Sequence, residues 1–192
     1  MKWVCGMVQC NFRHRGVQMS EENQKKQKSK NIVPMMDVLC FKNIKRIIMI
    51  RVRGFEKISL NIFADNILFN DVKEIYEKIK LPKRSTKSSA VYDIFSPIPF
   101  ILQAGEEITL PLGFKVYMPE DEFFMIVPRS GLGFKYYTRL ANTVGIIDSD
   151  YYGNTKNDGH CMAKIRNERS DKTICIEEGD AIAQGIFLKY LL

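Results

Sequence analysis

The sequence predicts an all-β sandwich or barrel, built as one domain with a single short helix behind a basic N-terminal extension. Three observations lead there. Beyond Ser89 the apolar residues come in short runs between turn residues, at 107–112, 114–118, 123–127, 161–165, 173–176 and 182–190, which is the spacing of strands in a sandwich or barrel. A helical period of apolar residues occurs once, within residues 71–80. Residues 20–30 hold no apolar side chain, so burial there cannot offset the entropy of ordering.

The N-terminal extension is set apart by charge. Residues 1–48 hold 10 Lys+Arg against 3 Asp+Glu, and the remainder of the chain holds 19 of each, so the whole net charge of +7 lies in this segment. It reads as a disordered basic tail or a non-native leader, and an internal start at Met49 would account for the abrupt change. The remainder, residues 49–192, is neutral, and no nucleic-acid partner is expected for it. Residues 49–55 read as a short strand. In the helix, Val72, Ile75, Tyr76 and Ile79 share one face, Asn70 or Asp71 can cap the start, and Pro82 stops the continuation.

With 192 residues, 45% of them hydrophobic and 27% charged, the chain can bury one ordinary core and carry an appendage. No apolar run approaches the roughly 18 residues needed to span a bilayer, and the first residues lack the apolar stretch of a secretory signal. The expectation is a cytoplasmic protein with no membrane partner. Five cysteines, Cys5, Cys10, Cys40, Cys161 and Cys175, form no C-x-x-C pair. They signal neither a disulfide framework nor a zinc site, and read as reduced thiols.

Several catalytic chemistries lack material. The two histidines are His14 and His160, too few for a multi-histidine metal site, and neither a Walker-type nor a dinucleotide-binding glycine pattern occurs. Two constellations remain. Pro128-Arg129-Ser130-Gly131-Leu132-Gly133 follows an apolar strand and combines a fixed cation, a hydroxyl and two flexible positions. Such a turn can offer N–H groups and a guanidinium fork to phosphate oxygens. The second runs from Asn142 through Gly145, Asp148, Asp150 and Tyr151 to Gly153, an apolar strand broken by a turn, which as a hairpin would aim alternate side chains into a pocket. Taken singly, each of these residues is explained as well by turn chemistry or packing.

Together and in order, these segments resemble the trimeric deoxyuridine triphosphatase (dUTPase) family. Ala90-Val91-Tyr92-Asp93-Ile94 resembles its first motif and Arg129-Ser130-Gly131 its second. Residues 145–153, with Asn142 just upstream, resemble the third, and Gly179-Asp180-Ala181-Ile182-Ala183-Gln184 the fourth. Residues 49–81 resemble the N-terminal part of dUTPases from Gram-positive bacteria and their phages. The resemblance implies a jelly-roll subunit, a homotrimer with active sites at subunit interfaces, and hydrolysis of dUTP to dUMP and pyrophosphate with Mg2+. It further implies that Asp148 activates the attacking water, with Asp150 left as structural, and that Tyr151 lies against the deoxyribose and excludes ribonucleotides. Asn142 and Gly145 would offer backbone to the uracil edge, Ser130, Gly131 and Gln184 would contact the phosphates, Arg129 would supply charge near them, and Asp93 would touch the metal's water shell.

The sequence departs from the family at three places. Val91 stands where glycine is usual, and Ala181 where arginine is usual. The sequence also stops at Leu192 before a Gly-rich fifth motif, from which impaired turnover is expected. Two alternatives stay open. Deoxycytidine triphosphate deaminases share the fold but need a glutamate acting on water at the cytosine ring, and the Gly-Ile-Ile-Asp-Ser-Asp-Tyr-Tyr run favours the dUTPase. A catalytically weak trimer of the same fold, binding nucleotide or a protein partner, is the other.

Overall fold

The computed structural model describes residues 52–191. The basic extension, the start at Met49 and the first residues of the strand expected at 49–55 lie outside the described residues. Eleven strands and three short helices are present among those described. They are β1 (Gly54–Lys57), α1 (Leu60–Ala64), α2 (Val72–Lys78), β2 (Tyr92–Phe95), β3 (Phe100–Leu102), β4 (Glu107–Pro111), β5 (Phe114–Tyr117), β6 (Glu122–Pro128), α3 (Ser130–Tyr136), β7 (Arg139–Leu140), β8 (Gly145–Asp148), β9 (Met162–Arg166), β10 (Ile174–Ile176) and β11 (Ala181–Lys189). A 3-10 turn, Ser149–Tyr151, follows β8. Among the described residues no helix is long and apolar enough to cross a membrane.

The strands form four open sheets, in the orders β1-β5, β10-β3, β2-β11-β6-β8 and β4-β9-β7. No closed barrel forms, so the sandwich expectation holds and the barrel alternative does not. Alternation explains the burial. Along β6, Phe124 and Ile126 point inward while Phe123 and Met125 are half-buried, and β4, β5, β9, β10 and β11 send Leu110, Val116, Ile165, Ile174 and Ile182 into the same core. Gly185 on β11 is required by this packing, because a Cβ there would sit 2.0 Å from the Phe124 ring. The ring fills that space and meets Phe55 and Phe187 at centroid distances of 5.2 and 4.8 Å. Truncating Phe124 to alanine would cost about 3–5 kcal/mol.

The expected helix is α2, but Asp71 at its cap position makes no side-chain cap hydrogen bond. The helix is held by its neighbours instead. Lys57 Nζ donates to the carbonyls of Tyr76 and Glu77 at 2.7 and 2.9 Å, closing the last turn, and Tyr76 Oη donates to the Ile58 carbonyl at 2.7 Å. Two helices go beyond the single one expected. In α1, Phe63 is fully buried and tilts against Tyr76. In α3 two glycines disfavour helix, yet Leu132 and Tyr136, one turn apart, pack on the core and hold it.

Candidate active site

Three of the candidate residues meet on the four-stranded sheet. The β11 register sets Gln184 opposite Asp93 on β2 and opposite Val127 on β6, so the ladder itself aligns both side chains. Gln184 Nε2 donates to Asp93 Oδ1 at 3.1 Å, and Arg129, one residue past the end of β6, brings its Nε to 3.6 Å from the same oxygen. That Arg129 Nε is buried and makes no hydrogen bond, an arrangement that costs free energy unless an acceptor arrives. Ser130 and Gly131 are exposed in the first turn of α3, where helical N–H groups have no intrahelical partner. Beside them a shallow cleft of about 280 Å³ is lined by Pro128, Arg129, Ser130, Gly133, Phe134 and Tyr137.

A second group gathers on the far flank of the sheet. Asp148 ends β8, is exposed, and makes no hydrogen bond or ion pair among the described residues. With Ile146, Ile147, Asp150, Tyr151, His160 and Met162 it lines a cleft of about 360 Å³. The hairpin expected over 142–153 does not form: β8 pairs antiparallel with β6, and the next strand, β9, pairs with β4 and β7. The reason is that β6 is an apolar strand whose side away from β11 is covered by long-range pairing with β8. What remains local is a tight turn at Asn142. The Thr143 N–H reaches the Leu140 carbonyl at 2.9 Å, the Val144 N–H reaches the Asn142 carbonyl at 2.7 Å, and Thr143 is left at φ 66°. A β-branched residue there is strained.

The two groups are well separated within one subunit. Asp148 lies opposite Phe123 and Gln184 opposite Val127, four residues further along β6 and on its other side. Strand geometry makes that about 13 Å along the strand and about 10 Å across it. Arg129, Ser130, Gly131, Gln184 and Asp93 therefore lie on one side, and Asp148 and Tyr151 on the other. Gly145, opposite Ile126, lies between the two levels, and the Asn142 turn precedes it toward the Arg129 end of β6.

The family model for dUTPase matches residues 77–192, more than half of the chain. A deoxyuridine 5'-triphosphate nucleotidohydrolase of Lactococcus lactis is 40% identical over 114 residues, 59% of this chain and 75% of the relative. The dUTPase of Streptococcus mutans superposes with a TM-score of 0.58 at 34% identity, over 72% of this chain and 97% of that one. The dUTPase of phage phi11 of S. aureus shares the fold, with a TM-score of 0.54 at 22% identity over 73% and 92%. The chain belongs to the dUTPase family.

Within this dUTPase fold, the loop after Tyr151 contributes residues that the sequence did not single out. Asn157 Nδ2 donates to Tyr151 Oη at 2.5 Å, and Tyr151 Oη donates in turn to the His160 carbonyl at 3.4 Å. His160 is buried and accepts the Gly113 N–H on Nε2 at 3.1 Å. Burial lowers its pKa from 6.5 to about 4 against an opposing pull from Asp158, so it stands as a neutral acceptor for the Gly113 N–H. Burial alone raises Asp158, but the Lys115 ammonium at 2.8 Å and the Ser59 N–H at 2.9 Å outweigh it and hold the carboxyl below its ordinary value. The Cys161 thiol is pushed up to about 12 by burial and is inert. The sequence signal was the Asn-Asp-Gly run at 157–159, which marks a turn but not its partner.

Proposed function

We propose that the chain is a dUTP diphosphatase that hydrolyses dUTP to dUMP and pyrophosphate as a homotrimer, through attack on the α-phosphorus by a water that Asp148 activates. The observation that carries the reading is the division just described. A base and an aromatic sit on one flank, cationic and amide donors sit on the other, and no single subunit brings them together around one nucleotide. Contact between flanks of neighbouring subunits would close the site.

Each role follows from chemistry. An exposed carboxylate without a protein partner leaves room for a water, which it can orient and deprotonate. Arg129, with its buried Nε lacking an acceptor, and Gln184, Ser130 and Gly131 supply donors for a triphosphate of roughly four negative charges. The Tyr151 ring beneath the sugar leaves no space for a 2′-hydroxyl. The backbone of the strained Asn142–Gly145 turn pairs with the uracil edge, and its tightness rejects the thymine methyl. Among the described residues no group of three or more His, Cys, Asp or Glu could hold a metal ion. A Mg2+ held chiefly by phosphate oxygens would ask of the protein one carboxylate within reach of its water shell, and Asp93 would supply it. When bound, the ion would neutralise charge on the triphosphate.

The reading itself is tested by incubating the protein with dUTP and Mg2+ and following pyrophosphate. Release from dUTP, with UTP far slower and no ammonia from dCTP, is the expected result. Ammonia from dCTP, or bound dUTP that is never cleaved, would overturn it.

A further inference from the structure

The ring of Tyr151 can discriminate sugars only if it is held still, and four consecutive residues of the following loop converge on holding it. The Asn157 amide is oriented by its own contacts: the Gly159 N–H reaches Oδ1 at 3.1 Å, which leaves Nδ2 to donate to Tyr151 Oη. Once Oη accepts that bond, its proton is free for the His160 carbonyl, so the phenol is fixed in both directions. Asp158 ties the loop to the body through Lys115 on β5 and the Ser59 N–H before α1. Gly159, at φ 76°, allows the approach, since a Cβ there would lie 2.5 Å from the Tyr151 carbonyl oxygen. His160 completes the fixation by accepting the Gly113 N–H.

We propose that Asn157 is a positioning residue that sets sugar specificity by locking the Tyr151 phenol. The inference rests on the proposed placement of Tyr151 beneath the deoxyribose, and Asn157 itself touches no reacting atom. Loss of one such bond is worth about three- to tenfold in a specificity ratio. The ring must remain in place for the effect to be one of position rather than of bulk, and two variants separate these. Asn157→Ala removes the donor, and Tyr151→Phe keeps the ring while removing the acceptor together with the bond to the His160 carbonyl.

The test is a double-mutant cycle on the ratio of kcat/KM for dUTP to kcat/KM for UTP. Each single variant is expected to lower the ratio by about three- to tenfold, and the double variant no further than Tyr151→Phe alone, because phenylalanine already lacks the Asn157 bond. A ratio unchanged in Asn157→Ala overturns the inference, as does a double variant whose loss is the product of the two singles. A companion measurement needs no turnover. In protein carrying 13Cζ-tyrosine, with the Tyr151 resonance assigned by its loss in Tyr151→Phe, Asn157→Ala should move that resonance. An unmoved resonance overturns the lock whatever the nucleotide assays show. A resonance that moves while Tyr151→Ala leaves the sugar ratio unchanged would instead retain the lock and remove Tyr151 from the sugar gate.

Discussion

The two flanks of the four-stranded sheet are held in different ways. On the β2–β11–β6 flank, Asp93, Gln184 and Arg129 are aligned by backbone register, and their side chains then meet at 3.1 and 3.6 Å. On the β8 flank the ladder ends at Asp148, and the loop beyond it adds to its own backbone turns a set of side-chain ties: Asn157 on Tyr151, Asp158 on Lys115, and His160 on the Gly113 amide. The first flank tolerates side-chain change without losing its geometry. The second concentrates its geometry in a few replaceable bonds, so that specificity and acid sensitivity should be found there and electrostatic grip on the other.

The largest break in that comparison should come from Asp148→Asn. Removing the base leaves both flanks folded and should lower kcat by about a thousandfold, in line with general-base effects, with dUTP affinity retained by calorimetry. Near wild-type turnover would show that another group activates the water.

His160 should give the next largest effect, on stability. Its folded pKa of about 4 lies below the ordinary 6.5, so the unfolded chain takes up the proton first as pH falls. The stability it preserves is therefore complete above pH 6.5 and lost as pH drops toward 4, by no more than about 3 kcal/mol. Urea midpoints at pH 7 and pH 4.5 should differ less for His160→Gln, whose side chain still accepts the Gly113 N–H. Equal acid sensitivity in the two proteins would assign the loss to other groups.

On the ladder-held flank, Gln184→Ala should raise KM for dUTP about tenfold, the worth of a charge-assisted hydrogen bond, while leaving the melting temperature nearly unchanged. A large fall in melting temperature would mean that the Gln184–Asp93 contact holds the sheet rather than the substrate. The smallest effect sharpens the other flank. Tyr151→Ala should reduce discrimination between dUTP and UTP by about tenfold through loss of the barrier beneath the sugar, and an unchanged ratio would place the gate elsewhere.

How much of this was legible in the sequence depended on range. The runs at 107–112, 114–118 and 123–127 became β4, β5 and β6 within about a residue, because alternation and turn residues are local signals. Pro97 and Pro99 mask the alternation of β2 and β3, and the glycines of α3 argue for a turn while its hold on the core is tertiary. The pairing of β8 with β6 was misread as a hairpin since a strand's sequence does not name its partner. In the site, Arg129 stands out in its own turn, whereas Asp93 and Gln184 are found only through the resemblance to the dUTPases. Their meeting on one patch follows from register, and no local pattern could reveal it. Asn157 was invisible for the same reason.

The central claim is that each active site takes its ladder-held half from one subunit and its β8 half from another. Co-expressing Asp148→Asn with Gln184→Ala chains in equal amounts tests it most directly, since neither protein alone has a complete site. Random assortment into trimers would give about one quarter of the sites both wild-type halves, and turnover of the mixed trimers at dUTP well below KM, where each variant alone is slow, should rise to about that fraction of wild type. Turnover no greater than the average of the two separate proteins would contradict the claim and confine each site to a single chain.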